Sequence, residues 1–300
     1  MKRKIFLSIT FLALLFIAER SLACFLLGGI KRFYGLEQAS EILIIGPSQT
    51  MLGVDKVLLE NETNMSVSKY TREGVNVFDM HQMVVHYFQT CKQKPKLVIY
   101  GVDKYLFTPN GLSVNSYTLF YPFMDTPSVN DYVQLNASQR DYLLHKTIKL
   151  IRFNDILLGH AMRGYLGVFN NLKYGRLNPE PYHQAIVSGS EAFRKLEIDQ
   201  DGVRQFRETL CFLNNQNVQV LLLCIPYAEP LNSYAPVESQ KALRIFEEYA
   251  TANSSVQLYL EAEMASHPEW YAEINHLNPE GQAIMTQRLA EYLRKLSMKP

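Results

Sequence analysis

A doubly wound α/β fold is predicted for this chain: a mostly parallel five-stranded sheet carrying a helical insertion and preceded by a membrane segment. Three observations predict it. Short, continuous apolar runs closed by glycine or proline recur at Glu41–Gly46, Lys96–Gly101 and Val218–Ile225, the pattern of strands buried on both faces. Stretches with helical spacing alternate with these runs, which calls for a parallel sheet covered on both sides. A basic and then strongly apolar N-terminus stands ahead of the first strand.

Lys2, Arg3 and Lys4 precede an apolar run from Ile5 to Ala18, which Glu19 and Arg20 interrupt before Leu22 to Ile30 resume it. Ile5 to Ala18 reaches only about 21 Å as a helix, short of the roughly 30 Å hydrocarbon core, and continuation to Ile30 would span it. One reading is a removable signal peptide with Ser21-Leu22-Ala23 as a small-x-small cleavage site. The other is an uncleaved anchor, residues 1–32, in which Glu19 and Arg20 are tolerated near an interface or as a local pair. Cys24 as a lipidation site is a third option, although Ser21 stands where a lipobox prefers Leu. The anchor is favoured because the apolar stretch continues past the possible cut. The basic start places the N-terminus in the cytoplasm and the remainder outside.

After Lys31 and Arg32 the first strand is expected at Glu41–Gly46 and a weaker second one at Met65–Tyr70. Val77–Cys91 has helical spacing, with Phe78, Met80, Met83, Val84 and Tyr87 near one side. Lys96–Gly101 is the third strand. Val203–Leu213 reads as a helix leading to the fourth strand, Val218–Ile225, which Pro226 closes. Ser239–Ala252 is helical, Val256–Leu260 is the fifth strand, and Pro279–Leu296 is a final amphipathic helix with Asn278 as its N-cap. The core is thus expected from residues 33–103 and 197–300. Residues 104–196, rich in Tyr, Phe, Asn and Leu, are too long for a structureless loop and read as a mostly helical insertion or lid, with one helix over Ser138–Leu158.

Thirty basic against 29 acidic residues give a net charge of +1, so no global field draws in nucleic acid. Four cysteines lack metal-type spacing, and no His-x-x-x-His pattern occurs among the seven histidines; a metal site is not expected, and no cofactor. His81, His86, His145, His160, His183 and His267 read as packing or surface residues.

In open parallel sheets, ligands bind beyond the carboxyl ends of the strands, and the informative residues fall there. Gly46-Pro47-Ser48-Gln49-Thr50 follows the first strand, Gly74 the second, Gly101-Val102-Asp103 the third, and Glu273-Ile274-Asn275-His276-Leu277-Asn278 the fifth. A serine hydroxyl needs a base to accept its proton, and a neutral imidazole suits that task near neutrality. A carboxylate on the other ring nitrogen would hold the tautomer, and Glu273 stands three residues before His276.

Gly46-Pro47-Ser48 with Gly53-Val54-Asp55 downstream resembles the nucleophile block of SGNH (GDSL-like) hydrolases, particularly membrane-tethered DltD-like and alginate-acetylation-like relatives. Tyr271-Ala-Glu273-Ile-Asn-His276-Leu-Asn278-Pro-Glu-Gly281 resembles their last block, and Gly74 matches the glycine block more loosely. The resemblance covers residues 41–103 and 217–296, not the insertion. It implies a flavodoxin-like version of the fold, Ser48 as nucleophile, His276 as base and Glu273 as its orienter. The backbone N–H groups of Ser48 and Gly74 would form an oxyanion site. Where the family pattern has Asn this chain has Asp103, which when ionised accepts hydrogen bonds without donating any. Either Asp103 is protonated, or Gln49 or Asn76 substitutes, or the site is degenerate.

The expected function is an extracytoplasmic esterase or O-acyltransferase acting on acyl groups, acetyl or alanyl, of a cell-envelope glycan or exported polysaccharide. A membrane-bound acyltransferase is a candidate partner, and whether it supplies the acyl donor is left open by the sequence. The alternative is a catalytically degenerate envelope protein that binds a glycan or acyl partner. Tyr117, Phe120, Tyr121, Phe123 and Tyr132 cluster in the insertion; a packed mini-core under the lid is the expected role for most of these rings, while Tyr121 and Tyr132 are expected to meet the larger substrate by ring stacking.

Overall fold

Five apolar segments lie side by side in the computed structural model, which describes residues 2–108, 115–168, 195–229 and 231–297. They are β1 (Ile42–Gly46), β2 (Val67–Thr71), β3 (Leu97–Val102), β4 (Gln219–Cys224) and β5 (Val256–Leu260). All pair in parallel, in the order β2-β1-β3-β4-β5. The order reverses between β1 and β3, so the crevice at their carboxyl ends is the place where such sheets receive ligands. Every residue of β1 is buried, which explains an apolar run without alternation.

The chain clusters into two compact units, Met1–Leu36 with Tyr117–Phe169, and Glu37–Ser116 with Asn170–Pro300. The sheet belongs to the second. Its helices are α2 (Ser48–Gly53), α3 (Lys56–Thr63) and α4 (Val77–Thr90), joined later in the chain by α8 (Gln200–Asn215), α9 (Pro236–Ala252) and α10 (Pro279–Ser297). Asn76 starts α4 through a capping box, accepting the N–H groups of Phe78 and Asp79 while Asp79 accepts that of Asn76. Asn278 starts α10 by accepting from Glu280 and Gly281, as its position before Pro279 predicts. A short antiparallel hairpin, β6 (Tyr271–Glu273) and β7 (His276–Leu277), precedes α10.

The first unit contains α1 (Lys2–Tyr34), a 3-10 turn at Ser116–Phe123, α5 (Pro127–Asn136), α6 (Gln139–Thr147), a 3-10 turn at Leu150–Arg152, and α7 (Asp155–Tyr165). Helix α1 is long and apolar enough to cross a membrane. The single helix expected over Ser138–Leu158 is two. Ile148 and Phe153 are extended, and Asn154 begins the second helix by accepting the Leu157 N–H. The remainder of the expected insertion, residues 169–194 together with His183, lies outside the described residues.

The strand-then-glycine pattern has a steric cause. Thr50, one turn into α2, sits over the ends of β1 and β3, and a Cβ at Gly46 or Gly101 would overlap its side chain. The two glycines let α2 approach the sheet edge. Its far end is held by Lys69, a buried lysine of β2 whose ammonium donates to the carbonyls of Met51 and Val54, both at 2.6 Å. Burial pushes the Lys69 ammonium down to about 7, with Lys56 adding repulsion and Asp55 opposing both.

This gives a signed pH dependence. The folded-state value lies below the unfolded one, so from about pH 7 to the ordinary lysine range near 10 the unfolded chain binds more protons and stability rises with pH. Lys69→Met should remove that slope, and should lower stability by about 1–3 kcal/mol through the carbonyls it leaves unpaired. Urea denaturation of both proteins at pH 7, 8.5 and 9.5 checks this. A wild-type advantage that fails to grow across the series would contradict it.

Candidate active site

The turn of chain between β1 and α2 places Ser48 at the first position of α2, buried at the sheet edge, after an extended Pro47. Proline suits a position whose N–H no helix would use. The first N–H groups of a helix have no intrahelical acceptors, and the Ser48 amide belongs to that set. His276 reaches the same spot from the β6–β7 hairpin, 228 residues later, and its Nε2 lies 2.8 Å from Ser48 Oγ. Its Nδ1 lies 2.5 Å from Glu273 Oε1.

The hairpin explains why a glutamate three residues upstream can do this. Glu273 and His276 face each other across the two strands, and a register shift lies between Tyr271 and Glu273. The longer side chain of Glu curls back across this tight turn. A carboxylate only accepts, so Nδ1 carries the ring proton and Nε2 is left with its lone pair toward the serine O–H. His276 is buried, whereas the Glu273 side chain is 47% exposed. The hairpin is tied down on both sides. The Tyr271 hydroxyl donates to Pro226 O at 3.1 Å, the Ala228 N–H to Ile274 O, and the Asn278 amide to the carbonyls of Glu269 and Tyr271.

The residues expected around the oxyanion site have separate environments. Gly74 adopts φ +73°, the left-handed region that favours glycine, in the turn leading to α4. Asn76 spends its carbonyl oxygen on the α4 cap, and its amide nitrogen lies 3.5 Å from Ser116 Oγ. Gln49, the neighbour of Ser48, is buried, and its side-chain amide opposes the burial-driven rise of the Tyr227 phenol. Asp103 is buried just past β3, where its carboxylate accepts the Tyr105 N–H at 2.6 Å in an Asx-type turn.

Tyr227 and Lys104 were not singled out by the sequence, although both immediately follow strand ends. Burial raises the Tyr227 phenol far above its ordinary value, and the Asp103 charge adds to this, so it remains an O–H. Lys104 donates to the carbonyls of Leu231, Asn232 (3.2 Å) and Tyr234 (3.0 Å), and burial lowers it to about 8. The rings of Tyr105, Tyr227 and Tyr234 surround its ammonium at 5.5 to 5.7 Å. A cavity of about 190 Å³ opens at the carboxyl ends of β3, β4 and β5, with Asp103, Lys104, Cys224, Tyr227 and Phe246 among its lining.

Tyr121 and Tyr132 belong to the first unit. Tyr121 is buried and stacks on His145 with ring centres 3.7 Å apart, and Tyr132 packs edge-on against Phe120 at 5.2 Å. Both rings therefore take part in packing, and the Tyr121 face expected to stack on substrate is occupied by an imidazole. Among the described histidines, His86 bonds Tyr70, His81 bonds Thr209, His160 stacks on Phe33 and His267 stacks on Trp270. No group of three His, Cys, Asp or Glu among the described residues could hold a metal ion.

No family model matches the chain, and no curated protein matches it. Solved structures similar to it are GDSL-type acylhydrolases and related acyl-transfer enzymes. The C-terminal catalytic domain of peptidoglycan O-acetyltransferase A from Streptococcus pneumoniae is 12% identical, with a TM-score of 0.41 over 87% of this chain and 97% of that one. A GDSL-like lipase from Bacteroides thetaiotaomicron is 11% identical, with a TM-score of 0.40 over 85% and 88%. A carbohydrate esterase family 2 enzyme with a carbohydrate-binding domain, from Corynascus thermopiles (Myceliophthora fergusii), is 11% identical, with a TM-score of 0.42 over 85% and 65%.

Proposed function

We propose that this chain is a serine esterase or O-acyltransferase of the membrane-tethered SGNH branch, working on acyl groups of a cell-envelope glycan or exported polysaccharide. The observation that carries the proposal is the hydrogen-bonded series Glu273–His276–Ser48, 2.5 Å and 2.8 Å in length. In acyl transfer, His276 Nε2 takes the Ser48 proton as Oγ attacks the ester carbonyl, and Glu273 stabilises the imidazolium that forms. The tetrahedral oxyanion meets the Ser48 and Gly74 backbone N–H groups. Gln49, next to Ser48, is the side-chain donor, since the Asp103 carboxylate accepts the Tyr105 N–H. His276 then protonates the leaving alcohol. Water entering in its place completes hydrolysis, and a glycan hydroxyl completes transfer.

The targeting reading has its own support. Lys2, Arg3 and Lys4 lead an unbroken helix, and its later residues Ala23, Leu26, Ile30 and Phe33 are buried within the first unit. Glu19 and Arg20, the two charges that interrupt the apolar run, pair with each other at 3.2 Å. This favours an uncleaved anchor with the sheet-bearing unit outside the cytoplasm, where a membrane-bound acyltransferase could supply the acyl group.

Ser48→Ala should lower turnover of a small acetyl ester at least a thousandfold and abolish labelling by a fluorophosphonate probe, with an unchanged melting temperature. Retention of a tenth of the activity would remove Ser48 from the mechanism. A folded wild type that neither turns over esters nor takes the probe would leave the cleft a binding site.

Glu273→Gln preserves size and removes the charge that settles the imidazole tautomer, so kcat should fall roughly 10- to 1000-fold with KM little changed. The half-exposed position of Glu273 makes the loss smaller than that for Ser48→Ala. A rise in KM alone would reassign Glu273 to substrate binding.

A reporter that works only outside the cytoplasm should be active when fused after Pro300, and the protein should stay with membranes in alkaline carbonate. Activity of a cytoplasm-only reporter would reverse the orientation, and release by carbonate would favour cleavage.

A further inference from the structure

Helix α7 is apolar on both sides. Leu157, Ala161 and Gly164 are buried, while Ile156, Leu158, Met162 and Leu166 are 60%, 39%, 51% and 73% exposed on the other side. Asp155 and Arg163 are its only Asp, Glu, Lys or Arg residues, fewer charges than the polar outer face of a water-soluble surface helix usually carries. Helix α6 buries none of its residues, yet exposes Leu143 and Leu144, and Ile148 and Ile151 are exposed just beyond it.

The bonds between these segments and α1 give their level along the anchor. The rings of His160 and Phe33 stack at 4.2 Å, a Cβ at Gly29 would overlap Ala161, and the Tyr165 hydroxyl donates to Phe25 O at 2.7 Å. Advancing along α7 therefore means moving back along α1, so that Leu166 points toward the N-terminal, lipid-facing part. The segment before α7 reaches further in the same direction. Arg20 donates to Thr147 O at 2.6 Å, and the Leu150 N–H donates to Glu19 at 2.7 Å.

A span needs about 20 apolar residues, which from Ile5 runs to Cys24. The level of Glu19 to Phe25 is then the outer leaflet and its interface, and everything bonded to those residues lies at that depth. The 33-residue α1, about 50 Å long, leaves its last turns beyond the hydrocarbon. Exposed Arg140 and Lys146 on α6 suit lipid phosphates at the same interface.

We propose that the end of α6, the turn to α7 and the C-terminal end of α7 form a collar seated in the outer leaflet, with lipid covering the exposed Leu144, Ile148, Ile151 and Leu166. The proposal rests on α1 being an uncleaved anchor. On this account the membrane contact of the first unit is wider than one helix, while the N-terminal part of α7, level with Phe33, stands clear of the lipid.

The test uses the full chain in vesicles of phosphatidylcholine and phosphatidylglycerol, in a background where the natural cysteines are replaced. An environment-sensitive fluorophore is attached through Phe11→Cys, Leu144→Cys, Ile151→Cys or Leu166→Cys, with far-UV circular dichroism confirming the fold of each. Lipids brominated on their acyl chains should remove about half of the emission at all four positions, with little effect of aqueous iodide, because an interfacial helix buries its apolar face roughly 5–10 Å deep. Lipid quenching at Phe11 alone, with iodide quenching at the other three, would overturn the collar and leave the anchor standing. Shielding of those three from both quenchers would also overturn it, since protein would then cover the face. No lipid quenching at Phe11 would remove the anchor, and the collar with it.

Discussion

The distance between a hydroxyl and an imidazole supplied 228 residues apart in the chain is the constraint around which the second unit is organised. A six-residue helix is too short to be stable on its own, so α2 must be fixed by its surroundings. Thr50 is pressed onto the sheet through the gap left by Gly46 and Gly101. Lys69 holds the Met51 and Val54 carbonyls, and Gln282 donates to Leu52 O at 2.7 Å. Thr286 accepts the Asp55 N–H at 2.8 Å. Gln282 and Thr286 both belong to α10, whose N-cap Asn278 also ties down the hairpin bearing His276. One helix therefore clamps the element that carries Ser48 and anchors the element that carries His276. Such preorganisation separates a hydrogen bond that can do chemistry from an incidental one.

Much of this was legible in the sequence because burial leaves a strong trace. Continuous apolar runs gave three of the five parallel strands to within a residue or two, the margin expected of element ends, and β5 and the weaker β2 were still placed. Ser48 and His276 were legible because strand ends are where a parallel sheet presents its chemistry. Helices α2 and α3 were not, since each is one or two turns long and too short for hydrophobic period to register. Ser138–Leu158 read as a single helix because its apolar residues continue through Ile148, Leu150, Ile151 and Phe153. The break is set by Asn154, whose capping preference outweighed that continuity. Lys69 was silent for a different reason: a lysine beside Ser68 in an edge strand reads as solvent-facing, and only the tertiary structure supplies the two carbonyls that let its charge be buried.

The replacement of an expected asparagine by Asp103 is easier to understand beside its neighbours. A carboxylate cannot donate, and the structure uses it as an acceptor for the Tyr105 N–H. Burial raises both Tyr227 and Cys224, and the Asp103 charge adds to each shift, so both keep their protons. Gln49, adjacent in sequence to Ser48, carries an amide that can donate where an ionised Asp103 cannot. Asp103, Lys104 and Tyr227 line the cavity at the end of β3 as one set. Lys104 completes it by fixing the 231–234 loop to the end of β3.

The N-terminal charges follow the same logic on the other unit. In the sequence, Glu19 and Arg20 interrupt an apolar run and weaken the case for a span. In the structure each has a partner of opposite charge and a backbone group of residues 147–150, so neither enters an apolar environment unpaired. The Gly29 and Gly164 backbones then approach so closely that a Cβ at Gly164 would overlap the Gly29 carbonyl, a contact that only small residues allow. The charges that interrupt the apolar run are thus among the points where α1 is joined to the rest of its unit.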